Sequence, residues 1–349
     1  MNFRYLLQKI FCATAILAAA ATASAGEGWR HLEPQASRAV EPEHFLLGAD
    51  ASLWLFGADG IRRVDAAGAT TGWLPGAPIL GELTSDGGAV FVESWNNCLV
   101  KRVDAAVRVR WAQPLPGYCV VAPAGDAVWV ANHSGKLYRL DADGAVEREL
   151  NIVTGETDLA AMPDGGVAVV ARSGVPMQST LTRYGRDGAK IWTVTRDAYL
   201  SHVAASADGT LTVGGRTDRG VAVSRFRADG TTVTEYLQTN DPASNEGDFA
   251  LRLAPDGSVT LATAYYATGG VANAVYRFGT DGAFAWRVQA CAPSANGFLP
   301  PQAILPLSGG GAVVACNVSD GGRFLRFDAS GTRVVDVPLP ALNAKLGLR

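Results

Sequence analysis

Short apolar runs recur along the chain, each broken by Gly, Pro or Asp-Gly before it reaches helical length. Residues 53–56, 89–92, 128–131, 167–170 and 312–315 are such runs, rich in Val, Ala and aromatic residues. Runs of this length between turn residues predict β-strands, because Gly and Asp admit tight turns and branched side chains suit a pleated surface.

The runs follow a long repeat. The pattern apolar, any residue, Arg, apolar, then a turn puts its Arg at Arg63, Arg102, Arg139, Arg183, Arg225, Arg277 and Arg326, with a mean spacing near 44 residues. The fifth residue after each Arg is Gly68, Val107, Gly144, Gly188, Gly230, Gly282 or Gly331. Asp143, Asp187, Asp229 and Asp281 stand before four of these glycines, and Asp-Gly between strands is a hairpin signal in which both central residues accept positive φ. Trp111, Trp192 and Trp286 follow nine residues after the Arg, and Trp73 follows at ten, which predicts a ring packed between repeats. The seven Arg read as structural, their stems packed and their heads on turn carboxylates or carbonyls. A second turn lies upstream in each unit, as at Asp86-Gly87, Asp164-Gly165, Asp208-Gly209 and Asp256-Gly257. Four strands per ~44 residues, seven times over, predict an all-β chain: a seven-bladed β-propeller of four-stranded antiparallel blades.

The stretch Gly135-Lys136-Leu137-Tyr138-Arg139-Leu140-Asp141-Ala142-Asp143-Gly144 resembles the repeat of pyrroloquinoline-quinone-type (PQQ-like) propellers, and Trp111, Trp192 and Trp286 resemble that family's docking Trp. The likeness spans about residues 40–340. Quinone-dependent members carry two adjacent cysteines and eight blades, and this chain has neither, so the resemblance implies no quinone. Periplasmic members without quinone act as interaction scaffolds, which is the role it implies here.

Residues 1–25 read as a signal peptide: Arg4 and Lys9, an apolar run over 10–23, then Ala23-Ser24-Ala25 as a cleavage site. Residues 26–39 form an N-terminal segment and 40–345 the propeller. The expected location is secreted or periplasmic, with nothing spanning a membrane after cleavage. Cys98, Cys119, Cys291 and Cys316 then face an oxidising compartment. Pairing neighbours in sequence predicts Cys98–Cys119 and Cys291–Cys316, each tying adjacent blades. The formal charge of −3, from 30 Lys+Arg and 33 Asp+Glu, excludes a broadly basic nucleic-acid-binding surface.

One face of such a disc carries the uniform Gly turns; the other carries irregular loops, and function is expected there. Trp95, Asn96, Asn97, His133, Tyr265 and Tyr266 on those loops suit contact with a protein or glycan partner. Aligning the inner strands on their turns brings His44, Leu80, Tyr118, Asp158, His202, Ala250 and Gln302 to one position at the channel mouth. Five of these seven are polar, and His44, Tyr118, Asp158 and His202 are the candidate catalytic set. No cofactor is predicted; a divalent metal is what this ring of imidazole and carboxylate would suit. No Gly-x-Ser-x-Gly, His-Glu-x-x-His or Walker pattern occurs. The expected function is a monomeric binding scaffold working through its loop face, with a lyase or hydrolase at the channel mouth as the alternative.

Overall fold

A computed structural model describes residues 42–338, apart from residues 49, 51, 58–59, 66–68, 94–96, 174–177, 217–219, 240–248, 255, 268–269, 295–302, 308 and 317–322. The signal peptide, Trp95, Asn96 and Gln302 lie outside the described residues. The described residues form seven four-stranded antiparallel sheets and no helix. Each sheet uses four strands consecutive in sequence, spanning 42–75, 78–115, 119–151, 156–196, 199–239, 249–294 and 303–338. The chain is a seven-bladed β-propeller.

The inner strands are Pro42–Leu47, Pro78–Leu83, Cys119–Ala124, Glu156–Ala161, Tyr199–Ala205, Phe249–Leu253 and Ala303–Pro306. Each touches the next, and Ala303–Pro306 touches Pro42–Leu47, closing the ring. Blade seven supplies its own outer strand, Arg333–Pro338, so among the described residues the ring closes by packing rather than by strand exchange. The core lies between blades: Val170, Leu181, Leu200 and Phe226 join blades four and five, and Trp54, Phe56, Phe91 and Val103 join blades one and two.

The repeated Arg is an inter-blade clasp. Arg102 donates to Asp86 of its own blade at 3.0 Å and to the Asp126 carbonyl of blade three at 2.7 Å. Arg63 bonds Asp50 and the Ala105 carbonyl; Arg183 bonds Asp164 and the Ala228 carbonyl. Arg277, fully buried, donates to Ser258, Thr260 and the Leu307 carbonyl of blade seven. In all seven blades the register between third and fourth strands shifts directly after this Arg. The shift is a bulge, which bends the outer strand and raises its twist.

The turns differ in type from the Asp-Gly expectation. Asp141 N–H bonds the Ala145 carbonyl and Gly144 N–H bonds the Asp141 carbonyl, closing a three-residue loop in which Gly144 has φ +84°. Only the Gly takes the left-handed conformation, and Asp143 does not. The Asp instead caps the turn: Asp141 Oδ1 accepts from the N–H groups of Asp143 and Ala145. This is a type I turn followed by a Gly bulge rather than a mirror-image turn. Val107, where the other repeats have Gly, holds φ +61° with its side chain buried.

Candidate functional site

The backbone register fixes which residues share a level of the channel. His44 lies opposite Phe56, Leu80 opposite Val92, Asp158 opposite Val170, His202 opposite Gly214 and Ala250 opposite Ala262. Each partner is two residues beyond the one facing the repeat Arg. In blade three that place belongs to Val120, opposite Ala131, not to Tyr118. In blade seven it belongs to Ala303, opposite Ala315, not to Gln302.

Turn length is the cause in blade three, and the choice of turn glycine in blade seven. The inner hairpin of blade three closes over two residues, Gly125 and Asp126, where Thr84–Gly88, Met162–Gly166 and Ser206–Thr210 close over three. In blade seven the loop runs Leu307 to Gly311, with two left-handed glycines, so alignment on Ser308-Gly309 is one residue out. The ring therefore has polar residues in three blades, at His44, Asp158 and His202.

Asp158 and His202 meet. Asp158 Oδ2 lies 3.3 Å from His202 Nδ1 and accepts the Val203 N–H at 3.0 Å. The second bond anchors the carboxylate, so the imidazole is held with Nδ1 toward Asp158. A register shift between Leu200 and His202 turns the ring to that position. The side chain of His44 lies outside the described residues.

The next level down carries charge. Two residues further along each inner strand stand Leu46, Glu82, Ala122, Ala160, Ala204, Arg252 and Leu305. The two charged members, from blades two and six, reach across the channel: Glu82 Oε1 is 3.5 Å from Arg252 Nη2. Burial raises the pKa of Glu82, Arg252 opposes that, and the nearby Asp158 carboxylate adds to it. The signal was available in sequence, since Glu82 and Arg252 are the charged residues among seven otherwise apolar positions.

Above the Asp158–His202 pair stands a rim of rings. The Arg172 guanidinium lies 3.8 Å over the Tyr199 ring, a cation–π contact between blades four and five. The Tyr118 and His133 rings are 4.5 Å apart in blade three. Burial and then the Arg172 charge lower the His133 pKa. Asn132 shapes this loop, donating to the Pro116 carbonyl at 2.9 Å and accepting the Lys136 N–H at 2.9 Å. Tyr118, displaced from the channel ring, thus belongs to the rim with His133.

The remaining candidates are scattered. Asn97 is exposed beside Cys98. Tyr265 and Tyr266 sit in the strand Val259–Ala267 and Cys291 and Cys316 in Phe284–Ser294 and Ala312–Cys316, all four with side chains outside the described set. Cys98 and Cys119 form a disulfide joining blades two and three. Among the described residues no three His, Cys, Asp or Glu side chains gather as a metal site.

No protein-family model and no curated protein sequence matches the chain. Solved structures match it in fold. A catalytically inactive virginiamycin B lyase from Staphylococcus aureus with quinupristin aligns at TM-score 0.57 and 14% identity, over 82% of this chain and 94% of that one. A Lactobacillus plantarum protein aligns at 0.53 and 19%, over 80% and 92%. BBS1N, in complex with ARL6DN, aligns at 0.50 and 12%, over 83% and 87%.

Proposed function

We propose that this propeller is an exported, monomeric binding scaffold that engages a protein partner through its loop face. The observation that carries this is the contrast between the two faces. On the turn face the carboxylates are spent on their own hairpins: Asp141, Asp187, Asp229, Asp281 and Asp328 each accept N–H groups of the turn they cap. On the loop face, rings and amides such as His133, Tyr118 and Asn97 stand on connections of unequal length, and Tyr265 and Tyr266 stand at the end of the strand Val259–Ala267 that leads to the same face. Unequal loops on a rigid disc supply a surface that identical turns cannot. The complex of BBS1N with ARL6DN is a protein-binding use of the same fold. Export is supported by the Cys98–Cys119 disulfide, since such bonds persist in oxidising compartments.

The test is capture from the source cell's envelope fraction by the mature chain. Proteins enriched by wild type are expected to be lost with Trp95→Ala plus Tyr265→Ala and retained with the turn-face change Asp143→Ala. Loss with the turn-face variant alone sinks this reading. One observation favours a second reading, a lyase or hydrolase: the Asp158–His202 contact, a carboxylate holding an imidazole as a general base requires. Elimination or ester hydrolysis that disappears in His202→Ala would move the function to that reading.

A further inference from the structure

Four ionisable side chains from four different blades converge on the axis. Asp158 and His202 form one level, and Glu82 and Arg252 span the channel at the next. The Glu82–Arg252 pair crosses the channel, and the part of the channel above it, toward the loop face, forms a well. Its rim carries Tyr199 under Arg172, and Tyr118 against His133. From Tyr199 to Ala204, level with the Glu82–Arg252 pair, is five residues of strand, or about 16 Å of depth.

From this geometry we infer that the well is a ligand site for the pyranose end of a saccharide, an assignment that shares only the Tyr118–His133 rim with the protein-binding face. The charges decide against an ionic ligand. Two carboxylates, Asp158 and Glu82, are balanced by two guanidinium groups, Arg172 at the rim and Arg252 against Glu82, and burial disfavours the charged form of the rim imidazole of His133. A neutral ligand dense in hydroxyl groups fits such a lining. Carboxylate oxygens accept from hydroxyls, guanidinium groups donate to them, and an imidazole does either. Aromatic rings at the rim are the kind of surface against which the C–H face of a sugar packs. An apolar ligand would strip water from the charged groups of Asp158, Glu82 and Arg252 without returning hydrogen bonds for those lost, which is costly.

The experiment uses the full mature chain on an oligosaccharide array, with a random-peptide array beside it. Wild type is expected to retain at least one saccharide class and to release it when the free methyl glycoside of the same terminal sugar competes. Asp158→Asn keeps an oxygen for the Val203 N–H but loses the charge, and Tyr199→Leu keeps apolar bulk but loses the ring. Each is expected to weaken retention by about tenfold or more, the weight of one charge-assisted or stacking contact, with the melting temperature unchanged. Trp95→Ala with Tyr265→Ala, which tests the protein-binding face, is expected to leave saccharide retention intact. No retained saccharide, failure of the free glycoside to compete, retention that survives both channel variants, or retention of peptides instead each overturns the assignment.

Discussion

Trp111 of blade two lies against Gly144 of blade three so closely that a β-carbon on that glycine would sit 2.6 Å from the indole. The indole Nε1–H donates to the Ala142 carbonyl of the same turn at 2.9 Å. The Trp192 ring likewise lies against Gly230 and donates to the Ala228 carbonyl at 2.9 Å, and the Trp286 ring lies against Gly331. The repeated Gly thus answers two demands, a left-handed φ and space for the neighbouring blade's ring.

That double demand separates two glycines. Gly125 has φ +67° and nothing within 4 Å of the place a β-carbon would take, whereas Gly144 has φ +84° and the Trp111 ring there. Gly125→Ala is expected to cost about 1 kcal/mol, the left-handed penalty alone. Gly144→Ala is expected to cost about 3 kcal/mol or more, because the ring must also move. Urea melts of the two variants check this; equal losses would show that the ring contact carries no weight.

The Arg clasp makes a second expectation. Arg102→Met removes bonds to Asp86 and to the Asp126 carbonyl from a buried position and is expected to cost about 2 kcal/mol. Arg102→Lys should recover little, since one ammonium does not reproduce a planar fork reaching two partners. Arg186→Ala, an exposed arginine, is expected to change stability by less than about 0.5 kcal/mol. Thermal melts of the three variants give the ranking.

Redox chemistry gives the third. The Cys98–Cys119 bond closes a separation of 21 residues, so its removal is expected to cost about 3 kcal/mol on the chain-entropy account. Titration of unfolded, unreduced mature protein is expected to find no free thiol, with Cys291–Cys316 as the second pair in a peptide map. Two reactive thiols would show that Cys291 and Cys316 remain reduced.

Acid gives the fourth. Asp104 is held below the usual carboxylate range by the Arg108 and Ala106 N–H groups and the Arg108 guanidinium, and Asp208 by the Thr210 N–H and the hydroxyl groups of Ser206 and Thr210. A depressed folded pKa means stability that is complete above the unfolded value, about pH 4, and lost as pH falls through the folded one. Glu82 has the opposite sign, because burial raises it: its contribution is present below its unfolded pKa and lost as pH rises through the folded value. Melting temperature is expected to fall below about pH 4, less steeply in Asp104→Asn; above about pH 4, where the Glu82 contribution is lost, Glu82→Gln is expected to gain on wild type as pH rises. A Glu82→Gln curve parallel to wild type would mean the carboxyl is not desolvated.

Local chemistry settled the blades. Strand, turn and Arg are each properties of a few neighbouring residues, and repetition of Arg, Gly and Trp at one spacing leaves few architectures besides a propeller. The clasping of Arg to turn carboxylates and carbonyls was legible for the same reason. The Cys98–Cys119 link followed from which strands neighbour each other in a ring. The channel was legible only in part. Strand side chains repeat every two residues, so a turn shorter by one residue, or an alignment on the wrong one of several adjacent glycines, misplaces every position counted from it. That is how Val120 and Ala303 hold the places expected of Tyr118 and Gln302. The Glu82–Arg252 contact could be read as two unusual charges but not as a pair. Blades two and six face each other only because seven blades close into a ring, and ring closure is decided by packing between sheets, not by any segment of the chain.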